Sequence, residues 1–186
     1  MKSRCQWAGE DPAYIAYHDD EWGVAVHDDM KLFEFLVLEG FQAGLSWLTI
    51  LKKRENFRHA FDQFNPEIIA GYDSIKINAL MNDSGIVRNR LKIEATRSNA
   101  QAFLKMQSSS VGFSEHLWGF SDGKTKKNSW KTLEELPAAT PESRKMSAEL
   151  KKRGFKFVGP TICYALMQAV GMVNDHMTHC FRYNQV

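Results

Sequence analysis

The stretch Lys151–Ala165 reads KKRGFKFVGPTICYA, and its punctuation decides the fold. Gly154 stands where a lysine-rich helix must stop, and a glycine there can close the last turn with positive φ. Gly159 and Pro160 then open a second, apolar helix, because proline fits the first helical position, where no amide hydrogen is needed. The pattern is helix, short turn bounded by glycines, helix. Free backbone N–H groups at the second N-terminus can bind a phosphate without reading sequence. Lys151, Lys152, Arg153 and Lys156 add positive charge nearby. A plain helical hairpin with a solvated basic face has the same signature.

The same grammar extends in both directions. Thr140–Pro141 opens the first helix of this pair, and Asn65–Pro66 repeats the cap-then-proline start. Asp28 or Asp29 caps a strongly apolar segment from Leu32 to Leu38, and Ser46 caps an amphipathic one running to Phe61. DSIKINALMNDSG predicts a helix ending at Gly85. RNRLKIEATRSNAQAFLKM predicts a long helix with Leu91, Ile93, Ala95, Ala100, Phe103 and Leu104 as its apolar set. Residues 107–137 are the least regular, a loop with short helices. No two-residue hairpin with alternating flanks and no internal repeat is found. The fold class is all-α.

A chain of 186 residues makes one domain, 1–186, long enough to bury a core without metal or disulfides merely to fold. A net charge of +2 does not by itself mark a nucleic-acid binder, so any basic footprint must be local. The opening MKSRCQWAGEDPAY lacks an apolar leader, and no run approaches the ~18 apolar residues of a membrane span. Three cysteines are an odd count and no disulfide framework, which points to the cytosol, where thiols stay reduced.

Two of those cysteines raise the question of a metal. In Asn174–Cys180, NDHMTHC, a helix or tight turn places His176 and Cys180 at i and i+4 on one face. His179 points about 100° away from Cys180 on a helix and is the poorer partner. Cys5 is followed thirteen residues later by His18. Two cysteines and two histidines make a tetrahedral zinc set with no open position, hence a structural one. His27, His59 and His116 compete as ligands on spacing alone, and Cys163, inside an apolar helical run, reads as an inert core thiol.

Trp7, Tyr14, Tyr17, Trp22 and Trp47 crowd the first third of the chain, as core fillers or as the wall of a site for a flat ligand. Glu39 ends the apolar run FLVLEG, where an unpaired carboxylate is costly unless it sits in an exposed last turn.

YIAYHDDEWG (14–23), LEGFQAGLSWLTILKKRENFRHAF (38–61) and LKKRGFKFVGPTICYALMQAVGMVNDH (150–176) together resemble the 3-methyladenine DNA glycosylase I family. These are bacterial alkylation-repair enzymes of the helix-hairpin-helix glycosylase group. The likeness runs along the whole chain. It implies the helix-hairpin-helix glycosylase fold, with the hairpin around 141–171 and one structural zinc joining the N- and C-terminal segments through Cys5, His18, His176 and Cys180. It assigns the catalytic role to Glu39, which with Tyr17 contacts the edge of the excised base. Trp47 stacks on that base, and Trp7, Tyr14 and Trp22 complete the wall. Leu45, with Gln42 and Gly44 beside it, enters the gap left in DNA, while Gly154, Lys156 and Gly159 hold the backbone. The implied activity is hydrolytic removal of 3-methyladenine, flipped out of alkylated double-stranded DNA, with no lyase step. The free base is the product, and the enzyme is a cytoplasmic monomer with no membrane partner. VNDH departs from the wider group, with Asn174 where others carry an aspartate; the side chain of Asp175 is expected to project elsewhere. The effect of Phe41, which precedes Gln42, is left open. A zinc-stabilised nucleic-acid-binding protein without chemistry, and a zinc hydrolase with an open metal position, are the rival classes.

Overall fold

The computed structural model describes residues 2–109 and 111–186. Among them the α-helices are α1 (Pro12–Asp20), α2 (Asp29–Gln42), α3 (Trp47–Ala60), α4 (Pro66–Ala70), α5 (Ser74–Asn82), α6 (Arg90–Gln107), α7 (Phe113–Trp118), α8 (Pro141–Lys152) and α9 (Pro160–Ala169). Side-chain oxygens cap seven of their N-termini, from Asp11, Asp28, Ser46, Asn65, Asp73, Asn89 and Thr140. Each cap is worth about 1 kcal/mol. Thr140 and Ser143 form a reciprocal capping box.

Helix α2 is apolar almost all round, and such a helix belongs at the centre. Leu32, Phe33, Phe35, Leu36, Val37, Leu38 and Phe41 are all buried, against α3, α6, α7 and α9. Aromatic rings extend the core to either side. Phe33, Phe103, Phe113 and Phe155 follow one another at 5.0, 4.8 and 5.9 Å, and Phe41 lies 4.7 Å from Phe57.

The hairpin has the predicted form. Gly154 has φ +95°, and its N–H donates to the Lys151 carbonyl at 3.0 Å while that of Phe155 donates to Leu150 at 3.0 Å. This is the paired Schellman closure, with Phe155 and Leu150 both buried beneath it.

Several expectations are corrected. Helix α5 ends at Asn82, before Gly85. Asp83 accepts from the Gly85 N–H at 2.7 Å, which folds the chain back before a glycine is needed as a stop. Leu91 is 70% exposed, and its neighbour Lys92 faces inward instead. Residues 107–137, apart from Ser110 outside the described residues, hold α7 and short turns as expected. They also contribute Lys126–Lys127, which pairs in parallel with Val173–Asn174. After the strand residue Asn174, Asp175–Cys180 is irregular chain ending in a turn at Thr178–His179, so of the two expected forms, helix or tight turn, the helix is not formed. Asn174 explains why: its amide donates to the carbonyls of Tyr183 and Val186 and its oxygen accepts from the His176 N–H.

Candidate functional site

A cavity of about 320 Å³ opens between α1, α2, α3 and α9. That volume suits a small flat ligand. Trp7, Tyr14, Tyr17, Trp22, Glu39, Gln42 and Trp47 all line it, so seven residues singled out in the sequence share one wall. The rings brace one another. Trp7 lies 5.1 Å from Tyr14 and 4.8 Å from Trp22, and Tyr17 lies 5.3 Å from Trp47.

Glu39 is not an exposed end-of-helix residue. It is 2% exposed, because α2 continues past it to Gln42. Its Oε2 has no hydrogen-bond partner, and neither has Nε1 of Trp47. Burial pushes the Glu39 carboxyl up to about 8. The same burial, with Glu39 nearby, raises the Tyr17 hydroxyl well above its ordinary range. The cavity therefore holds unpaired hydrogen-bonding atoms in a low-dielectric aromatic box, an arrangement that binds a planar molecule carrying N–H groups.

The remaining wall was not read from the sequence. Thr161, Tyr164, Ala165 and Gln168 line it from α9, at the i, i+3, i+4, i+7 spacing of one helical face. That spacing was the available signal. Leu133, Leu136, Pro137 and Ala138 close the far side, from a segment with no periodicity to reveal it. Behind α9 sits Asp175, fully buried. Its carboxylate accepts from Tyr164 Oη (2.5 Å), Gln168 Nε2 (2.8 Å), Trp130 Nε1 (2.7 Å) and Asn128 Nδ2 (2.7 Å). Asp175 does not itself line the cavity, in keeping with the expectation that its side chain projects elsewhere; it fixes the pocket wall from behind.

Two turns flank the mouth. Residues 42–46 leave α2, with Gly44 at φ +81° and Leu45 41% exposed. The other is the α8–α9 turn, where Gly154 and Lys156 are exposed and Gly159 half-buried. Gly159 brings no side-chain cap, which leaves the first-turn amides of α9 without a side-chain acceptor. The Lys52–Lys53–Arg54 cluster is used internally: Lys52 pairs with Asp11, Lys53 donates to the Ser84 and Gly85 carbonyls, and Arg54 pairs with Glu21.

Cys5, His18, His176 and Cys180 form a second buried cluster, their ligand atoms all within 4.8 Å of one another. Cys180 Sγ lies 3.4 Å from His18 Nε2 and 3.6 Å from His176 Nδ1, and Cys5 Sγ lies 3.6 Å from His176 Nδ1. A tetrahedral ion with metal–sulfur and metal–nitrogen bonds of about 2.3 and 2.0 Å separates such ligands by roughly 3.5 Å. The other nitrogen of each ring is held from outside. His18 Nδ1 lies 2.8 Å from Asp19 Oδ1, and His176 Nε2 lies 3.0 Å from the Trp22 carbonyl. That is how metal-binding histidines are oriented. Backbone N–H groups of Met177 and Arg182 donate to the two sulfurs. Burial, with Cys180 beside it, pushes the Cys5 thiol up to about 12, and a bound cation would offset that cost. His27, His59, His116 and His179 are not in the cluster.

A methyladenine glycosylase family model matches residues 7–183. The chain belongs to the methyladenine glycosylase family. That membership makes it a glycosylase. It is 50% identical over 180 residues to DNA-3-methyladenine glycosylase 1 of Escherichia coli (strain K12), covering 97% of this chain and 96% of that protein. A crystal structure of 3-methyladenine DNA glycosylase I superposes with a TM-score of 0.95 at 51% identity, covering 96% of this chain and 98% of the other. A Tyr-to-Phe variant of 3-methyladenine DNA glycosylase I in complex with 3-methyladenine superposes with a TM-score of 0.92 at 36% identity, covering 96% of each chain.

Proposed function

We propose that the protein hydrolyses the N-glycosidic bond of 3-methyladenine in alkylated double-stranded DNA. The observation that carries this reading is Glu39, a buried carboxyl with an unpaired oxygen inside an aromatic cavity. An orphaned acceptor there costs free energy until a ligand donates to it. A purine with an exocyclic amino group supplies the donor and a face to stack on Trp47. Such a base is out of reach in a duplex, so it must be flipped out of the stack.

Glu39 and the Tyr17 hydroxyl read the base edge, Trp47 stacks, and Trp7, Tyr14 and Trp22 shape the box. The 3-methylated nucleoside is already cationic. Its C1′–N9 bond breaks with the electron pair passing to the base, which leaves neutral. Water then attacks the oxocarbenium-like C1′ and loses its proton to solvent. The leaving group needs no acid, so holding and orienting it suffices. Burial keeps Glu39 neutral up to about pH 8. A positive ligand favours its ionised form, an advantage unmodified adenine does not share. No lysine lines the cavity among the described residues, which supports a monofunctional enzyme without a lyase step.

Leu45 fills the gap in the duplex, with Gln42 and Gly44 beside it. The α8–α9 pair acts as a helix-hairpin-helix, its α9 amides and Gly154, Lys156 and Gly159 holding phosphates. Cys5, His18, His176 and Cys180 bind one zinc, which is structural because four protein ligands leave no open position. The protein acts as a single 1–186 domain, a monomer in the bacterial cytosol; among the described residues no helix is long and apolar enough to cross a membrane. The decisive assay is chromatographic release of free base from methylated duplex DNA. Release of 3-methyladenine supports the reading, and wild-type protein that releases nothing sinks it.

A further inference from the structure

Lys92 is an anomaly in the core. It lies on α6, 7% exposed, and no carboxylate pairs with it among the described residues. Lysine is almost never buried without a partner. Its Nζ donates instead to the carbonyls of Phe41 (2.7 Å) and Ala43 (2.6 Å). These are carbonyls left over at the C-terminus of α2, where positive charge is also favoured by the helix dipole. The chain departs from α2 at Ala43, directly into the turn that carries Leu45. A methionine would fill the same space, so packing alone does not account for a lysine.

Asn99 stands seven residues on, on the same face of α6 and 4% exposed. Its amide takes both backbone groups of one residue in the other turn. Nδ2 donates to the Lys156 carbonyl at 3.1 Å, and Oδ1 accepts from the Lys156 N–H at 2.7 Å. Between the two brackets lies Phe157. Its φ of +55° is a strained value for an aromatic residue. Its ring centroid is 5.9 Å from Lys92 Nζ, and its Cβ would be 3.3 Å from any Cβ added at Gly40. The hairpin tip is thereby pressed onto α2, one residue from Glu39.

We propose that Lys92 and Asn99 are positioning residues that fix the separation of the two DNA-facing turns. Capture of phosphates at the α8–α9 turn then sets Leu45 at the gap and the flipped base over Glu39. The inference rests on the functional reading above for what each turn does. The brace touches neither base nor DNA, and it acts only when both turns are engaged at once.

The test uses Lys92→Met, Asn99→Leu, the double variant and Lys92→Arg. Single-turnover excision from methylated duplex is measured with enzyme in excess, normalised to sites titrated by free 3-methyladenine, beside affinity for that free base. Expected is a drop in excision on the order of tenfold or more for each single variant, with free-base affinity within about twofold of wild type. The double variant should be no slower than the slower single one, because two brackets serve one spacing. Lys92→Arg, which keeps a charged donor, should recover most of the rate. Full excision in both single variants overturns the inference. So does a loss of free-base affinity matching the loss of rate, since that marks general structural damage. Wild-type protein that releases no base would instead bring down the functional reading, and this inference with it.

Discussion

The aromatic cavity and the knot at residues 174–180 are both buried and polar, yet they are finished differently. In the knot every carboxylate and amide oxygen has a donor: Asp175 has four, and Asn174 binds three backbone groups. In the cavity Glu39 and Trp47 each leave an atom unpaired. A protein interior tolerates a polar group when the fold supplies its partner, and leaves one unsatisfied at a cost. The complete network holds the architecture; the incomplete one awaits a ligand. Substitutions in the knot should therefore cost stability, and substitutions in the cavity should cost binding.

The largest effect is expected at the Cys5, His18, His176 and Cys180 cluster. Removing the proposed zinc with a chelator, or His176→Ala, should lower the thermal midpoint by about ten degrees or more, at about 2–4 °C per kcal/mol for a chain of this size. His179→Ala, at an exposed position, should spare both midpoint and metal content. Equal metal loss in the two variants, read by elemental analysis, would remove His176 from the set. Next comes Asp175→Ala, which strands one buried and three half-buried donors and should cost about 2–4 kcal/mol in denaturant unfolding. A cost under about 1 kcal/mol would erase the contrast between the regions.

Glu39→Gln should behave in the opposite way. The Glu39 value of about 8 lies above the ordinary 4.5, so the folded state holds its proton while the unfolded state has already lost it. That contribution is fully present below about pH 4.5, is lost as pH rises to about 8, and is constant beyond. Each pH unit between those values costs about 1.4 kcal/mol, so the full difference approaches 4–5 kcal/mol as a ceiling. Thermal melts from pH 5 to pH 9 should show Glu39→Gln gaining on wild type across that window while losing affinity for free 3-methyladenine. A flat difference would mean that Glu39 has solvent or a partner. Smallest is Trp47→Ala, expected to weaken the free base by roughly 1–3 kcal/mol in isothermal titration; unchanged affinity takes Trp47 out of the stack.

Helix starts were legible because caps and prolines act locally. Ser46, Asn65 and Thr140 cap as their types predict, and the Gly154 stop closes the hairpin helix. The residues of the aromatic wall were named through family resemblance and those of the cysteine–histidine cluster through spacing as well, and the structure brings each set together. What stayed hidden depends on contacts distant in sequence. Leu91 and Lys92 differ by one helical step, and which one faces inward is decided by the carbonyls of Phe41 and Ala43 about fifty positions earlier. The role of Asp175 stayed hidden because its partners come from two distant segments, Tyr164 and Gln168 on α9 and Asn128 and Trp130 in the loop before α8. Leu133–Ala138 has no periodic pattern, and only tertiary packing makes it a wall.

The four-residue cluster takes two members from the first eighteen positions and two from the stretch 176–180. During synthesis the early pair leaves the ribosome long before the late pair exists. Trp7, Tyr14, Tyr17 and Trp22 travel with the early pair, and His176 reaches back to the Trp22 carbonyl. The box that would close on a base is therefore pinned only when translation has passed residue 180. A chain cut short in its last turns would keep most of its helices and its basic hairpin, and so could still meet DNA. It would meet it with an unfastened pocket.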